Sequence, residues 1–225
     1  IPAAFMTMPV FSPPPSHCSR CPRLVAFREE NQRKFPHFYN GCVPSFGSLD
    51  APMLVVGLAP GLKGANATGR PFTGDFAGVV LYTALARAGL AQGTYQARAD
   101  DGFTLTNVRI TNAVRCVPPE NKPTPDEAKT CNRFLIDEIA AMPNLKLLLC
   151  LGLTSHQAVL RTLKLKQKDF KFGHGKLHDI SRASSHAQRV TYLLNSYHTS
   201  RYNVQTGRLT QEMFNAIVDQ AIELI

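Results

Sequence analysis

Four short apolar runs, separated by amphipathic and Gly/Pro-rich stretches, dominate the pattern of hydrophobic and polar positions along the chain. The runs have the length and composition of buried strands and cover residues 53–57, 106–113, 145–151 and 190–195. Helix-like segments alternate with them, at 23–34, 76–88, 124–141, 155–163 and 210–224. Strands alternating with helices predict an α/β fold, here a three-layer α/β/α domain with a central four-stranded parallel sheet.

The loop between the first strand and the helix at 76–88 is the stretch around which the chain is organised. It reads GLAPGLKGANATGRPFTGD and follows the carboxyl end of a strand, where open α/β folds bind ligands. Phe72 is an aromatic residue where turns favour small polar ones, and Asp75 is a carboxylate at the start of a helix. The glycines of this loop allow a backbone or a ligand to come close; among them are Gly57, Gly61 and Gly64.

The charge balance indicates what kind of partner the protein binds. Lys and Arg total 25 against 16 Asp and Glu, a formal net charge of +9, which favours a polyanionic partner such as nucleic acid over a basic protein without one. No apolar run approaches the roughly 18 residues of a membrane span, and the Pro-broken N-terminus lacks the charged start of a signal peptide. We therefore expect one cytoplasmic domain over 1–225, with an extended arm at 1–16.

Four of the six cysteines have the spacing of metal or cluster ligands. The pair Cys18-x-x-Cys21 brings two sulfurs to one centre, and Cys116 and Cys131 follow with fourteen residues between them. An Fe–S cluster that joins the N-terminal segment to the sheet is the first interpretation, with a four-Cys zinc site or unrelated thiols as alternatives. The other two are interpreted as buried free thiols: Cys42 and Cys150.

Several motifs, in one consistent order, resemble a known family. They are GLAPG followed by GRPFTGDFAG, the segment ITNAVRCVPPENKP, the four-cysteine spacing and YHTSRYNVQTGRLT. Together they resemble the uracil-DNA glycosylase superfamily and, within it, family 5, the type-b enzymes of prokaryotes, from Cys18 to the end of the chain. The resemblance implies removal of uracil, and of other deaminated bases such as hypoxanthine, from DNA. It also implies a structural 4Fe–4S cluster, held by Cys18, Cys21, Cys116 and Cys131.

The resemblance also assigns roles in hydrolysis of the N-glycosidic bond of a base flipped out of DNA. Phe72 resembles the aromatic on which the flipped base stacks, and Asn112 matches the asparagine whose amide reads the base edge. His198 matches the histidine that hydrogen-bonds the developing base anion. GLAPG has no polar side chain to activate water, so Asp75 is the candidate general base, with a helix N-cap as the alternative role and Asn121 as a second catalytic candidate.

The remaining implied contacts involve backbone and DNA. The first motif lines the base pocket through Gly57, Leu58 and Ala59. Thr199 stands where many relatives have proline, a departure that affects the loop geometry rather than His198. Either Arg201 or Tyr202 would fill the gap left by the flipped base, and the basic run 164–176 would add non-specific affinity. Candidate phosphate contacts are Gly61, Gly64, Ser200 and Asn203.

Two other functional classes compete with a glycosylase. The apolar GLAPG motif is compatible with a catalytically weak Fe–S module that recognises damaged or abasic DNA, and the cysteines with a zinc-containing α/β nucleotide hydrolase. Asp75 and His198 favour the enzyme. We expect a monomeric hydrolase that leaves an abasic site and requires no nucleotide cofactor and no membrane.

Overall fold

The computed structural model describes residues 11–183 and 190–225. Its elements follow one another as α1 (Pro22–Lys34), β1 (Met53–Gly57), α2 (Ala65–Thr68), α3 (Phe76–Arg87), β2 (Ala91–Gln92), β3 (Thr104–Leu105), β4 (Val108–Asn112), α4 (Pro125–Ala141), β5 (Leu147–Leu151), α5 (Leu153–Thr162), β6 (Leu177–Asp179), β7 (Tyr192–Ser196), α6 (Arg201–Gln205) and α7 (Gln211–Ile222). A short 3-10 helix at Pro119–Asn121 lies between β4 and α4.

The central sheet has the strand order β4-β1-β5-β7-β6. The first four strands are parallel, and every residue of β1, β4 and β5 is buried, as expected for strands covered on both faces. Met53 and Val55 face α3 and α7, whereas Leu54 and Val56 face α4 and α5. The predicted three-layer α/β/α architecture and its four parallel strands are therefore confirmed.

Several short elements were not predicted from the sequence. A fifth strand, β6, pairs antiparallel with β7 and lies inside the basic stretch 164–186, of which 184–186 are outside the described residues. The antiparallel pair of β2 and β3 lies between α3 and β4. α2 lies in the glycine-rich loop after β1, and α6 in the segment after His198. Strands of two or three residues and helices of four or five are too short to show a hydrophobic period.

Residues 11–16, the described part of the N-terminal arm, contact the rest of the domain. The ring of Phe11 lies 5.5 Å from the guanidinium carbon of Arg109. The carbonyl of Ser16 accepts a hydrogen bond from the amide of Cys42 at 2.9 Å. Residues 11–16 contain no helix or strand, as predicted for an extended arm, and 1–10 lie outside the described residues.

Helix α4 begins at a capping box formed by Thr124 and Glu127. The Thr124 hydroxyl accepts a hydrogen bond from the Glu127 amide at 3.2 Å, and the Glu127 carboxylate accepts one from the Thr124 amide at 2.8 Å. Pro125 occupies the first helical position, where its missing N–H has no intrahelical partner to lose. None of the helices within 11–183 and 190–225 is both long and apolar enough to cross a lipid bilayer.

A buried ion network joins α4 to the end of β4. The Glu138 carboxylate, which is fully buried, accepts hydrogen bonds from Arg109 at 2.5 Å, from Arg115 at 2.5 Å and from Thr111 at 3.1 Å. A second hydrogen bond ties Arg115 to Ser45 at 2.7 Å. The network fixes the segment that carries Asn112 and Cys116 before it leaves the sheet.

Replacement of Glu138 by Gln should destabilise the fold strongly. The substitution keeps the size of the side chain but leaves two buried guanidinium groups without their counter-ion, which costs about 3–5 kcal/mol. Urea unfolding measures the loss. Asp137→Asn is the matched control, because Asp137 is exposed on the same helix and its replacement should change stability by less than about 0.5 kcal/mol. Equal stability of the two variants would contradict the structural role of the network.

Candidate active site

A pocket opens at the carboxyl ends of β1 and β4, where the sequence predicted a site. It brings together four predicted side chains from three separate segments: Phe72, Asp75, Asn112 and His198. Its other walls are backbone and small apolar groups, provided by Ala59, Pro60, Gly61, Ala65 and Ala77. The pocket thus combines an aromatic face, a carboxylate, an amide and an imidazole.

Phe72 has a strained backbone. Its φ is +53°, in the left-handed region that bulky residues rarely adopt, at a cost of about 1–3 kcal/mol. The Phe72 carbonyl accepts a hydrogen bond from the Tyr95 hydroxyl at 3.2 Å, and a Cβ at Gly78 would lie 1.6 Å from the same carbonyl oxygen. The ring lies 6.1 Å from that of His198, with 30° between the planes. The surrounding loop therefore holds an aromatic face towards the pocket.

Asn112 ends β4 directly opposite Gly57 of β1. A Cβ at Gly57 would lie 2.4 Å from the Asn112 side-chain oxygen and 2.5 Å from the Phe72 ring. Glycine is therefore required where the amide and the ring meet. The Asn112 side chain is buried, and no hydrogen bond to it is formed within the described residues, so its donor and its acceptor are both available to a ligand.

Asp75 is both the N-cap of α3 and a wall of the pocket. One carboxylate oxygen accepts a hydrogen bond from the Gly78 amide at 3.1 Å. The other lies so close to the glycine loop that a Cβ would approach it to 3.1 Å from Gly61 and to 2.3 Å from Gly64. Burial raises the pKa of Asp75, opposed by hydrogen bonds from the amides of Gly78 and Ala77. The two predicted roles therefore use different oxygens.

His198 lies on the segment that follows β7. Its carbonyl accepts a hydrogen bond from the Asn203 side chain at 2.8 Å, and Gly152, with φ of +92°, packs directly against it. Burial lowers the pKa of His198 to about 4, so the imidazole is neutral at pH 7 and presents one N–H donor. Thr199, in the position that is proline in many relatives, is fully buried, and its hydroxyl has no hydrogen-bond partner among the described residues.

Three other residues that were predicted to contact the base, the phosphate or the reacting atoms do not face the pocket in that way. Leu58 is not part of the pocket wall, and its carbonyl accepts a hydrogen bond from the Val114 amide at 3.0 Å. The Gly64 amide donates to the Gly61 carbonyl at 3.2 Å, so it is not free to bind a phosphate. Asn121 is exposed, with φ of +57° in the 3-10 turn, and the structure does not place it in the pocket.

The short helix α6 carries the predicted DNA contacts beside the pocket. Ser200 is its N-cap and accepts a hydrogen bond from the Asn203 amide at 3.4 Å. The guanidinium carbon of Arg201 lies 5.6 Å from the centre of the Phe76 ring. Tyr202 is 71% exposed, the most exposed of the large hydrophobic side chains described. Asn203 positions His198 through its side chain, a function that its spacing did not reveal.

The four predicted ligand cysteines line a second cavity behind the pocket. Cys18 lies before α1 and Cys21 is the N-cap of that helix, Cys116 follows β4, and Cys131 lies in α4. Cys42 lines the same cavity, with its sulfur 3.0 Å from that of Cys116. This placement was not predictable from the sequence, because Cys42 belongs to no local ligand motif.

The walls of this cavity combine thiols with apolar surface. Leu24, Val114 and Phe134 contribute apolar surface. Among the residues in the described ranges, no three His, Cys, Asp or Glu side chains are arranged to hold one metal ion. Ala59 lines the active-site pocket and also packs against the buried group that contains Cys42, Cys116 and Cys131.

Comparison with known proteins defines the family of this fold and pocket. The profile of the uracil-DNA glycosylase superfamily matches residues 44–221. The chain therefore belongs to the uracil-DNA glycosylase superfamily, as the motifs indicated. It is 42% identical to a type-5 uracil-DNA glycosylase of Thermus thermophilus, over 92% of this chain and 93% of that protein.

Further relatives carry the same description. The type-5 uracil-DNA glycosylase of Mycobacterium bovis is 39% identical over 93% of this chain and 78% of that protein. The type-5 uracil-DNA glycosylase of the archaeon Pyrobaculum aerophilum is 37% identical over 91% of this chain and 88% of that protein. The predicted resemblance to family 5 is confirmed.

The depressed pKa of His198 should appear in the pH dependence of stability. The unfolded chain takes up this proton near pH 6.5, whereas the folded protein resists it until about pH 4. The contribution of the neutral imidazole is therefore fully present above pH ~6.5 and is lost as the pH falls towards 4. Urea unfolding should show that the stability difference between wild type and His198→Asn shrinks from pH 7 to pH 4. A constant difference would contradict the depressed pKa.

Proposed function

We propose that this protein is a uracil-DNA glycosylase, which binds uracil flipped out of DNA and hydrolyses its N-glycosidic bond, leaving an abasic site. The observation that carries the proposal is the convergence of Phe72, Asp75, Asn112 and His198 on one pocket. The names of the type-5 uracil-DNA glycosylases that this chain resembles support the same activity. The formal net charge of +9 suits a DNA substrate.

Base recognition in this proposal uses Phe72 and Asn112. Flipping a base costs a few kcal/mol, and stacking on an aromatic side chain returns about 1–3 kcal/mol. The unengaged amide of Asn112 offers a donor and an acceptor to the polar edge of the base. Because the amide can present either group, we extend the proposal from uracil to hypoxanthine.

The chemistry in this proposal uses Asp75 and His198. Cleavage of the glycosidic bond leaves positive charge on the sugar, in an oxocarbenium-like transition state, and negative charge on the departing base. Asp75, whose pKa burial raises, accepts a proton from the attacking water and keeps its other oxygen on the helix amide. The neutral His198 donates its N–H to the base as negative charge develops, a contribution worth about 10²–10³-fold in comparable sites.

The flipped base leaves a gap that a protein side chain fills. Of the two candidates, Arg201 is engaged above the Phe76 ring, whereas Tyr202 projects into solvent with 71% of its surface exposed. We therefore assign Tyr202 to the gap and Arg201 to the DNA backbone. Ser200, beside them at the start of α6, is the phosphate contact, since its hydroxyl hydrogen is free to donate.

We also propose that Cys18, Cys21, Cys116 and Cys131 hold a 4Fe–4S cluster. Their placement around one cavity with apolar walls supports this ligand set. Such a cluster supplies electron-transfer chemistry in general, but hydrolysis involves no redox step, so its role here is structural. It would join α1 to α4 and to the segment after Asn112, next to the Arg23–Glu127 ion pair at 2.7 Å. The cytoplasmic location and the monomeric state stay predictions.

Asp75→Asn separates the two roles of Asp75. Asparagine caps helices as well as aspartate does but cannot accept the proton from water. We expect base release from a uracil duplex to slow by about 10²- to 10⁴-fold, with the melting temperature unchanged. Single-turnover assays with alkaline cleavage of the abasic product measure the rate.

Thr210→Ala is the matched control for the cap. It removes the side-chain cap of α7, which accepts a hydrogen bond from the Met213 amide at 3.1 Å, so stability should fall by about 1 kcal/mol while the rate stays unchanged. Full activity of Asp75→Asn would show that Asp75 serves only as the N-cap of α3 and has no catalytic role. Binding by the wild type without release from any uracil or hypoxanthine duplex would favour the non-catalytic module.

Iron and acid-labile sulfide analysis of anaerobically purified protein tests the cluster. We expect equal amounts of iron and sulfide and a brown colour, lost in Cys131→Ser. Cys42→Ser is the matched control, because Cys42 lines the same cavity without being one of the four proposed ligands. Equal loss of iron in both variants would contradict the ligand set, and zinc without iron would contradict the cluster.

A further inference from the structure

The stretch between α3 and β4 carries a carboxylate whose side chain is shielded from solvent by Arg70 and the backbone around it. Asp101 lies between β2 and β3, and its side chain is fully buried. It binds the Arg70 guanidinium through two parallel hydrogen bonds of 2.7 and 2.8 Å. The amides of Gln96 and Phe103 each donate to the same carboxylate at 3.0 Å. The Asp101 carboxylate is therefore a buried anion that is hydrogen-bonded on both of its oxygens.

Arg70, the partner of Asp101, lies two residues before Phe72 and is enclosed by aromatic rings. Its guanidinium carbon is 5.0, 5.6 and 5.8 Å from the ring centres of Phe46, Tyr82 and Tyr95. Its Nε donates to the Thr73 hydroxyl at 2.8 Å. A guanidinium stays protonated even when buried, so this environment depends on the Asp101 carboxylate for its counter-charge.

Pro71 and Phe72, the two residues between Arg70 and Thr73, both have carbonyl groups that accept hydrogen bonds. The Pro71 carbonyl accepts hydrogen bonds from the Tyr82 hydroxyl at 2.6 Å and from the Thr73 hydroxyl at 3.2 Å. The Phe72 carbonyl accepts one from Tyr95 at 3.2 Å. A strained backbone persists only where its surroundings over-determine it, and these bonds fix the left-handed conformation of Phe72.

We propose that Asp101 is a positioning residue for the base-stacking ring of Phe72 and acts on it through Arg70. The inference rests on the proposed function, because it assigns stacking to Phe72. Loss of the carboxylate charge leaves a buried cation unpaired between Phe46, Tyr82 and Tyr95, so the Arg70–Thr73 turn must rearrange. Phe72 then leaves its left-handed conformation and its ring loses its place beside His198.

A double-mutant cycle distinguishes positioning from general stability. Asp101→Asn alone should lower kcat/KM for a uracil duplex by about 10-fold or more, within the range expected for a lost base–aromatic stack. In the Phe72→Ala background the same substitution should change kcat/KM by less than about 2-fold, because the ring it positions is absent. All variants are assayed at a temperature at which circular dichroism shows them folded.

Two further variants serve as the matched control and the conservative test. Asp100→Asn makes the same change one residue away, in an exposed ion pair with Arg98, and should alter kcat/KM in neither background. Tyr95→Phe removes only the hydroxyl that binds the Phe72 carbonyl and leaves the Arg70–Asp101 pair intact. It should lower kcat/KM less than Asp101→Asn does, with the same dependence on Phe72. If Asp101→Asn fails to fold, Arg70→Lys takes its place in the cycle, because it keeps both charges but removes the two parallel hydrogen bonds to Asp101, and it should show the same dependence on Phe72.

A nuclear Overhauser contact between the Phe72 and His198 rings gives a readout independent of activity. We expect the contact in wild type and in Asp100→Asn, and its loss in Asp101→Asn. Retention of the contact in Asp101→Asn, or equal rate losses with and without Phe72, would overturn the positioning role. If the wild type releases no uracil but Asp101→Asn still loses the ring contact, the proposed function is overturned. The positioning of Phe72 by Asp101 then remains supported.

Discussion

The parallel register that pairs Gly57 of β1 with Asn112 of β4 is the constraint on which the site depends. It places the missing Cβ of the glycine where the amide of Asn112 and the ring of Phe72 converge. Beyond the strands the pairing continues, from the Ala113 amide to the Gly57 carbonyl at 2.9 Å and from Val114 to Leu58 at 3.0 Å. A slip of one residue would turn the Asn112 side chain to the other face of the sheet.

Two buried ion networks hold segments that lead into the pocket. Glu138 binds Arg109 and Arg115 under the end of β4, and Asp101 binds Arg70 under the Phe72 turn. Buried ion pairs add little net stability compared with apolar packing. Their value here is geometric, since each holds a backbone segment that carries a pocket side chain. Backbone positions, more than side-chain rotamers, thus determine the shape of the site.

Features that depend on neighbouring residues were predictable from the sequence, and those that depend on distant ones were not. The four parallel strands and the Thr124 capping box follow from local patterns. The convergence of Asp75 and His198 needed the family resemblance. Nothing local indicates that Asp101 meets Arg70, 31 positions away, because either residue alone looks like a solvated surface charge. Cys42 reaches Cys116 across 74 positions for the same reason.

The proposed cluster ligands extend from Cys18 to Cys131, so a cluster bound there would close a loop of about half the chain. Such a closure reduces the conformational entropy of the unfolded state, much as a long-range disulfide does, and binding free energy becomes folding free energy. The loop contains Phe72, Asp75 and Asn112 but not His198. A bound cluster would therefore add stability to the part of the chain that carries base recognition and water activation, whereas His198 lies outside the closed loop.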